Sequence, residues 1–133
     1  MVPQTPRMKA LIIEDTKIVR MVTRKWLEQA GYEVEEATNG QEGLDAMTTG
    51  AYEIVTCDVD MPVMDGLECI TQLRKHEKAH GRLRQFVLCV TDVNNDDEQL
   101  LEAGMDTIFR KPLDKPSFDA MLRRLDAGSM ELA

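Results

Sequence analysis

The stretch EIVTCDVDMPVMDGLECITQLRK, residues 53–75, contains a short apolar run, an acidic turn and a helical pattern, in that order. The run EIVTC is short and continuously apolar at its centre, as in a strand that is buried on both faces. Leucine and isoleucine then recur at three-residue intervals, which is typical of the inner face of a helix. Asp58 and Asp60 follow the strand directly. The stretch therefore predicts a β–α unit with carboxylates at the carboxyl end of its strand.

The same strand-then-helix pattern occurs five times along the chain. Short connections between such units predict a parallel sheet with helices on both faces and right-handed crossovers. The runs KALII (9–13), EIVTC and FVLCV (86–90) are the most apolar, so we expect these strands at the centre of the sheet. YEVEEA (32–37) alternates and TIF (107–109) is short, which favours the two edges. The sequence thus predicts a doubly wound α/β sandwich.

Helix signals lie between the strands. For the first helix we expect Asp15 or Thr16 at the start and Gly31 after the end. Its inward residues should be Val19, Val22 and Trp26. Asp114 should cap the last helix, whose apolar face comprises Phe118, Met121, Leu122 and Leu125.

Bulk properties exclude several classes of function. The 133 residues suit one domain, and a net charge of -8 argues against general binding to nucleic acid or anionic membranes. The three cysteines lie in apolar segments without a CxxC motif, as is typical of buried free thiols in a reducing compartment. We expect a cytoplasmic protein with no membrane partner, an N-terminal extension at residues 1–7 and a C-terminal tail at residues 127–133.

Polar residues follow the strands at one edge of the predicted sheet, where parallel α/β proteins bind ligands. They are Glu14, Asp15, Asp58, Thr91 and Lys111. Three carboxylates in one crevice repel one another unless a cation joins them, and hard oxygen ligands suit Mg²⁺. A lysine and a hydroxyl could hold phosphoryl oxygens while an aspartate attacks phosphorus. The set indicates phosphoryl transfer.

The motifs EDT (14–16), CDVDMPVMDG (57–66), VTD (90–92) and RKP (110–112) resemble a known family. It is the chemotaxis-regulator-like receiver domain of two-component response regulators, and the resemblance covers residues 8–126. It implies a flavodoxin-like (βα)5 fold with strand order 2-1-3-4-5, in agreement with the edge strands inferred above.

The resemblance also implies the role of each acidic residue. Asp58 is expected to accept the phosphoryl group and, with Asp15, to bind Mg²⁺ directly, with Mn²⁺ as an alternative metal. Asp60 is expected to bind the metal through its backbone carbonyl, and Glu14 through water. A domain of this kind catalyses its own phosphorylation and dephosphorylation.

Further roles and the partners follow from the same resemblance. Lys111 is expected to pair with the phosphoryl group behind a cis bond to Pro112, and Thr91 to move toward that group. The movement would bias a protein-binding face made by the fourth helix, the fifth strand and the fifth helix. Expected partners are a histidine kinase or histidine phosphotransfer protein, a downstream protein or output domain, and a second copy in a phosphorylation-dependent homodimer.

Three departures from the family pattern concern the readout of phosphorylation. Asp92 stands where a small residue usually follows the threonine, and the segment from Thr91 to Lys111 is about two residues short. Ile108 replaces the tyrosine or phenylalanine of many members. Its neighbour Phe109 should face the other side of the strand.

Two other functions compete with this interpretation. DVD (58–60) also fits the nucleophile motif of small phosphohydrolases of the haloacid-dehalogenase kind, in which the second aspartate is a general acid. That family normally begins its fold with this strand, whereas here two βα units precede it. The other alternative is a receiver-like binding module that is never phosphorylated, for which Asp92, the expected shortening of the fourth helix and Ile108 are the arguments.

Three further patterns are better explained by structure than by chemistry. HEKAH (76–80) matches a zinc-protease motif, but the chain has no third histidine and cations surround the motif. DVNNDDE (92–98) begins like a calcium loop but has Asp97 in place of the required glycine. The methionines of the predicted active rim are expected to pack its loops; they are Met61, Met64 and Met105.

Overall fold

The computed structural model of the protein describes residues 8–92 and 95–126. Strands and helices alternate strictly along these residues. They are β1 (Lys9–Ile13), α1 (Lys17–Gln29), β2 (Glu33–Ala37), α2 (Gly40–Thr49), β3 (Ile54–Cys57), α3 (Gly66–Ala79), β4 (Val87–Thr91), α4 (Asp97–Ala103), β5 (Thr107–Arg110) and α5 (Lys115–Asp126). The expected N-terminal extension and C-terminal tail lie outside the described residues.

The five strands form one parallel sheet in the order β2-β1-β3-β4-β5. The predicted order and both predicted edge strands are thus confirmed. The register places Ile13 opposite Cys57 and Thr91 opposite Arg110. Because the strands are parallel and aligned, the residues that follow them meet at one edge of the sheet.

Two apolar cores lie on opposite faces of the sheet. One contains Leu44 and Met47 of α2 with residues of α3 and α4, and the other contains Leu27 of α1 with Phe118 of α5. Alternate residues of each central strand enter alternate cores, because strand side chains point to opposite faces. Five helices thus cover both faces, as the alternating pattern predicts. Within residues 8–92 and 95–126, no helix has the length and hydropathy needed to cross a bilayer.

Helix α1 buries a different row of residues from the one that the sequence predicts. Thr23 and Leu27 are its deepest residues, whereas Val19, Val22 and Trp26 are only partly buried. Thr23 can be buried because its hydroxyl donates a hydrogen bond of 2.7 Å to the Val19 carbonyl. The hydroxyl is thereby satisfied within the helix, so its burial costs little.

The ends of α1 and α5 follow the sequence signals more closely. Thr16 is the N-cap of α1, although its side chain makes no capping hydrogen bond, and Gly31 follows the helix with a φ of 100°. Positive φ is easily reached by glycine alone, so the predicted stop signal is confirmed. In α5, Asp114 accepts a hydrogen bond from the Ser117 amide at 3.3 Å, and Phe118 is fully buried.

Strands β4 and β5 both extend one residue beyond the predicted runs, to Thr91 and Arg110. The extension lets the Lys111 amide donate to the Thr91 carbonyl at 2.7 Å. Thr91, Arg110 and Lys111 are therefore held by the sheet rather than by a free loop. The Lys111–Pro112 bond is cis, as expected.

The three thiols are free and buried in the core below α2, α3 and α4. Cys57 and Cys89 lie directly opposite each other on β3 and β4, and Cys69 lies on α3. A hydrogen bond with Cys69 and burial raise the pKa of the Cys57 thiol well above its usual value. Burial raises that of Cys89 to about 12. The prediction that the thiols are free and buried is thus confirmed.

Phe109 and Ile108 face opposite cores, as the alternation of β5 predicts. Met61 and Met64, in the loop after β3, pack against the core below α2, α3 and α4, which confirms their expected packing role near the rim. Met105 packs against the same core, but it precedes β5 at the opposite end of the sheet, so its expected place at the rim is wrong.

Candidate functional site

The acidic residues lie where two central strands end side by side. The Asp58 amide donates to the Ile13 carbonyl at 3.0 Å, which fixes the end of β3 against the end of β1. The Glu14 amide donates to the Ala37 carbonyl at 3.0 Å, which fixes the end of β1 against β2. The sheet ladder therefore places Glu14, Asp15 and Asp58 together, as the sequence predicts.

The three carboxylates form one cluster. Glu14, Asp15 and Asp58 each offer an oxygen, and these oxygens lie within 4.8 Å of one another. Glu14 and Asp58 are 2 % and 7 % exposed, whereas Asp15 is exposed to solvent. Oxygen atoms at this spacing, open on one side to water, are the donor set that suits a hard divalent cation such as Mg²⁺.

Lys111 partly balances the charge of the cluster. Its Nζ lies 3.2 Å from Oε1 of Glu14 and 3.4 Å from Oδ2 of Asp58. Burial lowers the pKa of Lys111, but Asp58 and Glu14 outweigh burial and raise that pKa above its usual value. The lysine therefore stays charged beside the carboxylates.

The pKa of Glu14 reflects its burial and the negative charge that Lys111 leaves unbalanced. Burial and the Asp58 charge raise its pKa to about 7, against the lowering effects of the Thr16 amide and of Lys111. The Thr16 amide donates to Oε2 of Glu14 at 3.2 Å. Lys111 therefore offsets only part of the negative charge of the cluster, and a bound divalent cation would offset more of it.

The backbone orients the Asp58 carboxylate. The Val59 amide donates to Oδ1 at 2.8 Å, so Oδ2 is the oxygen that faces Lys111. The loop after β3 returns close to its own start, because the Gly66 amide donates to the Val59 carbonyl at 2.8 Å. A Cβ atom on Gly66 would lie 2.1 Å from the Asp58 carbonyl oxygen. Only glycine allows this approach.

Thr91 is fully buried at the end of β4, and its hydroxyl is already engaged. Nδ2 of Asn95 donates to Oγ1 of Thr91 at 2.7 Å and lies 3.5 Å from Oδ2 of Asp60. The exposed Asp60 side chain therefore faces Asn95 at the rim.

Three residues that hold the site in place are not predicted from the sequence. The Arg20 guanidinium donates to the carbonyl oxygens of Glu14 at 2.9 Å and Asp15 at 3.0 Å, and it pairs with Glu36 at 3.1 Å. Asn95 and Arg110 hold the segment after β4. An arginine one turn into α1 is a recognisable signal, since it lies near the turn that precedes the helix. Asn95 lies in a polar loop and gives no such signal.

HEKAH has a structural role, as expected. Glu77 is buried, pairs with Arg74 at 2.8 Å and accepts a hydrogen bond from the Gln85 amide at 2.8 Å. His76 and His80 stack with ring centroids 4.1 Å apart near the end of α3. Both oxygens of the glutamate are occupied, so it is not placed to act as a base. In the segment DVNNDDE (92–98), which resembles a calcium loop, Asp96 caps α4 by accepting a hydrogen bond from the Glu98 amide at 3.0 Å.

Comparisons with known proteins give one consistent result. The family described as the response regulator receiver domain matches residues 10–123. The aerobic respiration control sensor protein ArcB of Escherichia coli (strain K12) is 32% identical over 119 residues, which are 90% of this chain and 15% of that protein. The chain therefore spans a small part of the length of that relative.

Two solved structures are similar in fold. The receiver domain of the Saccharomyces cerevisiae response regulator Ssk1, crystallised with the histidine phosphotransfer protein Ypd1, matches with a TM-score of 0.85 at 22% identity, over 98% of this chain and 96% of that one. The receiver domain of the sensor histidine kinase PA1611 from Pseudomonas aeruginosa, with a magnesium ion in its active-site cleft, matches with a TM-score of 0.79 at 24% identity, over 90% of this chain and 97% of that one.

Proposed function

The chain belongs to the response regulator receiver domain family, and from that premise we propose that it accepts a phosphoryl group on Asp58 in a reaction that needs Mg²⁺. The donor is the phosphohistidine of a histidine kinase or of a histidine phosphotransfer protein. The modified domain then presents an altered protein-binding face to a downstream protein, to an output domain or to a second copy.

The arrangement around Asp58 is the observation that carries this proposal. Its carboxylate is buried, one oxygen is fixed by the Val59 amide, and the other oxygen lies 3.4 Å from a lysine ammonium. Two more carboxylates lie within reach of a shared cation. A nucleophile that is fixed, desolvated and close to positive charge is what attack on a phosphoryl group requires.

The transfer step is a displacement at phosphorus. A carboxylate oxygen of Asp58 forms the new O–P bond while the P–N bond to the donor imidazole breaks, and the imidazole nitrogen keeps the electron pair. Lys111 is placed to contact the transferred oxygens, and the Thr91 hydroxyl donates to one of them. Water later attacks phosphorus, which releases inorganic phosphate and restores the Asp58 carboxylate.

The carboxylates of Asp15 and Asp58 would hold the metal directly, the Asp60 carbonyl would bind it as well, and Glu14 would do so through water. When bound, Mg²⁺ offsets the negative charge of the cluster and of the phosphoryl oxygens. Arg20 keeps the Glu14–Asp15 turn in position through the two backbone carbonyls.

The proposed partners are consistent with the exposed apolar residues near the rim. Ile18 and Met21 are exposed on α1, which begins two residues after Asp15, and Val63 is exposed in the loop after Asp58. The Ssk1 receiver was crystallised with the phosphotransfer protein Ypd1. We infer that a phosphodonor protein covers this rim while its imidazole reaches Asp58.

Intact-mass spectrometry after incubation with acetyl phosphate tests the proposal. We expect one phosphoryl adduct that requires Mg²⁺, is absent from Asp58→Asn and persists in Asp60→Asn. The Asp60 variant separates the two chemistries, because a phosphohydrolase would need that side chain as general acid. If no adduct forms and beryllofluoride also fails to bind, the protein is a binding module that is not phosphorylated.

A further inference from the structure

The hydroxyl that is proposed to contact the phosphoryl group is linked to the loop leading into α4. Thr91 is completely buried and accepts a hydrogen bond of 2.7 Å from the Asn95 side chain. Asn95 directly precedes Asp96, whose carboxylate caps α4 by accepting from the Glu98 amide at 3.0 Å. One side-chain contact therefore connects the end of β4 to the first turn of α4.

Arg110 fastens the same segment to β5. It lies opposite Thr91 in the sheet, and its guanidinium donates to the carbonyl oxygens of Asp92 and, at 3.0 Å, of Asn95. It also forms an ion pair with Asp97, the first residue of α4. A planar guanidinium can hold several acceptors at once in a fixed geometry. Arg110 thus ties both flanks of the segment between β4 and α4 to the edge strand.

The position where many family members carry a switching aromatic residue contributes nothing comparable here. Ile108 packs against the core below α2, α3 and α4, and Phe109 packs on the opposite face with Phe118, at a ring-centroid distance of 5.8 Å. Among the described residues, hydrogen bonds of Asn95 and Arg110 join the end of β4 and the edge strand to the residues that precede α4.

We propose that Asn95 is a positioning residue that transmits the displacement of Thr91 to α4, with Arg110 as its anchor on β5. This inference rests on the proposed function. A hydroxyl donates one hydrogen bond and accepts others, so Thr91 can donate to a phosphoryl oxygen while it still accepts from Asn95. Asn95 then follows Thr91 toward Asp58, and the start of α4 moves with it.

Amide NMR spectra with and without beryllofluoride and Mg²⁺ test this coupling. The Val59 amide, which donates to Asp58, reports whether the site is occupied, and the amides of Glu98 to Ala103 report the response of α4. In the wild type we expect both groups of resonances to shift. In Asn95→Ala we expect the Val59 shift to persist and the mean α4 shift to fall about threefold or more.

One further variant serves as a control and another tests the anchor on β5. Gln99→Ala changes an exposed residue of α4 away from Thr91 and should respond like the wild type. Arg110→Lys keeps the charge near Asp97 but loses the bidentate hold on the two carbonyls. We expect it to keep the Thr91 and Asn95 shifts and to lose most of the α4 shift. Dispersed spectra and unchanged thermal unfolding establish that each variant is folded.

The outcomes separate the two proposals. If α4 responds in Asn95→Ala as strongly as in the wild type, the coupling through Asn95 is refuted. It is also refuted if the wild-type Val59 amide shifts while α4 does not. If the Val59 amide does not shift in the wild type, the proposed phosphoryl site itself fails, and the coupling fails with it.

Discussion

At the scale of single residues, Glu14 decides how the site responds to pH. Burial and Asp58 raise its pKa to about 7 from an unfolded value near 4.5. Well below pH 4.5 the carboxyl is protonated in the folded and the unfolded protein alike, so it does not alter the free energy of unfolding. Between pH 4.5 and 7 the unfolded chain releases the proton while the folded protein keeps it, so stability falls as pH rises through this window.

We therefore predict that Glu14→Gln changes the pH dependence of stability in the absence of metal. At pH 8 the variant should exceed the wild type by roughly 2 kcal/mol in free energy of unfolding, because a neutral amide avoids the buried charge. At pH 4.5 the two proteins should be equal. Urea unfolding at both pH values measures the difference, and a variant that is equally stable or weaker at pH 8 would contradict the electrostatic account.

Val63 shows strain at a second residue near the site. It has a φ of 71°, is 81% exposed, and lies in a tight turn in which the Met64 amide donates to the Pro62 carbonyl at 2.8 Å. Positive φ is unfavourable for a β-branched residue, and exposure means that little burial compensates for it.

Replacement of Val63 by glycine should stabilise the protein by about 0.5–1 kcal/mol, since relief of strain exceeds the added entropy of the unfolded chain. Val63→Ala is the matched control, because it removes the branch while it keeps the Cβ, and should gain less than half as much. Denaturant unfolding of the three proteins gives the comparison. Equal stability of the wild type and the glycine variant would show that the turn is unstrained.

At the scale of elements, Arg74 joins α3 to the segment before β5. Its guanidinium donates to the Gly104 carbonyl at 2.8 Å and to Asp106 at 2.9 Å, and it pairs with Glu77 on its own helix. Asp106 also accepts from the Val87 amide at 2.8 Å, so the cluster fixes the starts of β4 and β5. It lies at the end of the sheet opposite the carboxylates.

Arg74→Met should lower the free energy of unfolding by about 3–4 kcal/mol, because two buried carboxylates lose a charge partner. Arg84→Met is the matched control. Arg84 also pairs with Asp106, but its side chain is 47% exposed against 14% for Arg74. Its loss should cost less than about 1 kcal/mol. Chemical denaturation measures both, and similar losses for the two variants would disprove the role of burial.

The elements also show which parts of the site the sequence could predict. The positions of residues at the ends of strands could be predicted, because parallel register brings the ends of neighbouring strands together. Asp58, Thr91 and Lys111 are examples. Residues whose position depends on loop conformation could not. Asn95, which contacts Thr91, lies in neither a strand nor a helix, and helix rotation rather than periodicity decides that Thr23, not Val22, is buried in α1.

At the scale of the whole molecule, the proposed binding of a metal ion by the carboxylate cluster would stabilise the folded state. A ligand that binds only the folded state adds RT ln(1 + [L]/Kd) to stability, which is about 1.4 kcal/mol at ten times its dissociation constant. We predict that Mg²⁺ raises the unfolding temperature of the wild type at pH 8, and much less at pH 5, where Glu14 holds a proton.

Asp15→Asn is the control for this prediction, since it removes an exposed cluster ligand without touching the core. The variant should fold and lose most of the stabilisation by Mg²⁺. Thermal unfolding at fixed ionic strength separates binding at the site from salt effects. An identical Mg²⁺ response in both proteins would place the ion elsewhere.

The three thiols are buried below the edge of the sheet that carries the carboxylates, so the rates at which they react report how often the core opens. A thiol reagent modifies only a sulfur that solvent can reach, so the rate of modification of a buried thiol measures local opening of the core. Variants that retain only Cys57 or only Cys69 would report the opening of the central sheet and of α3 separately. Because Cys57 immediately precedes Asp58, a phosphoryl group that tightens this edge should lengthen the lifetime of its unmodified thiol.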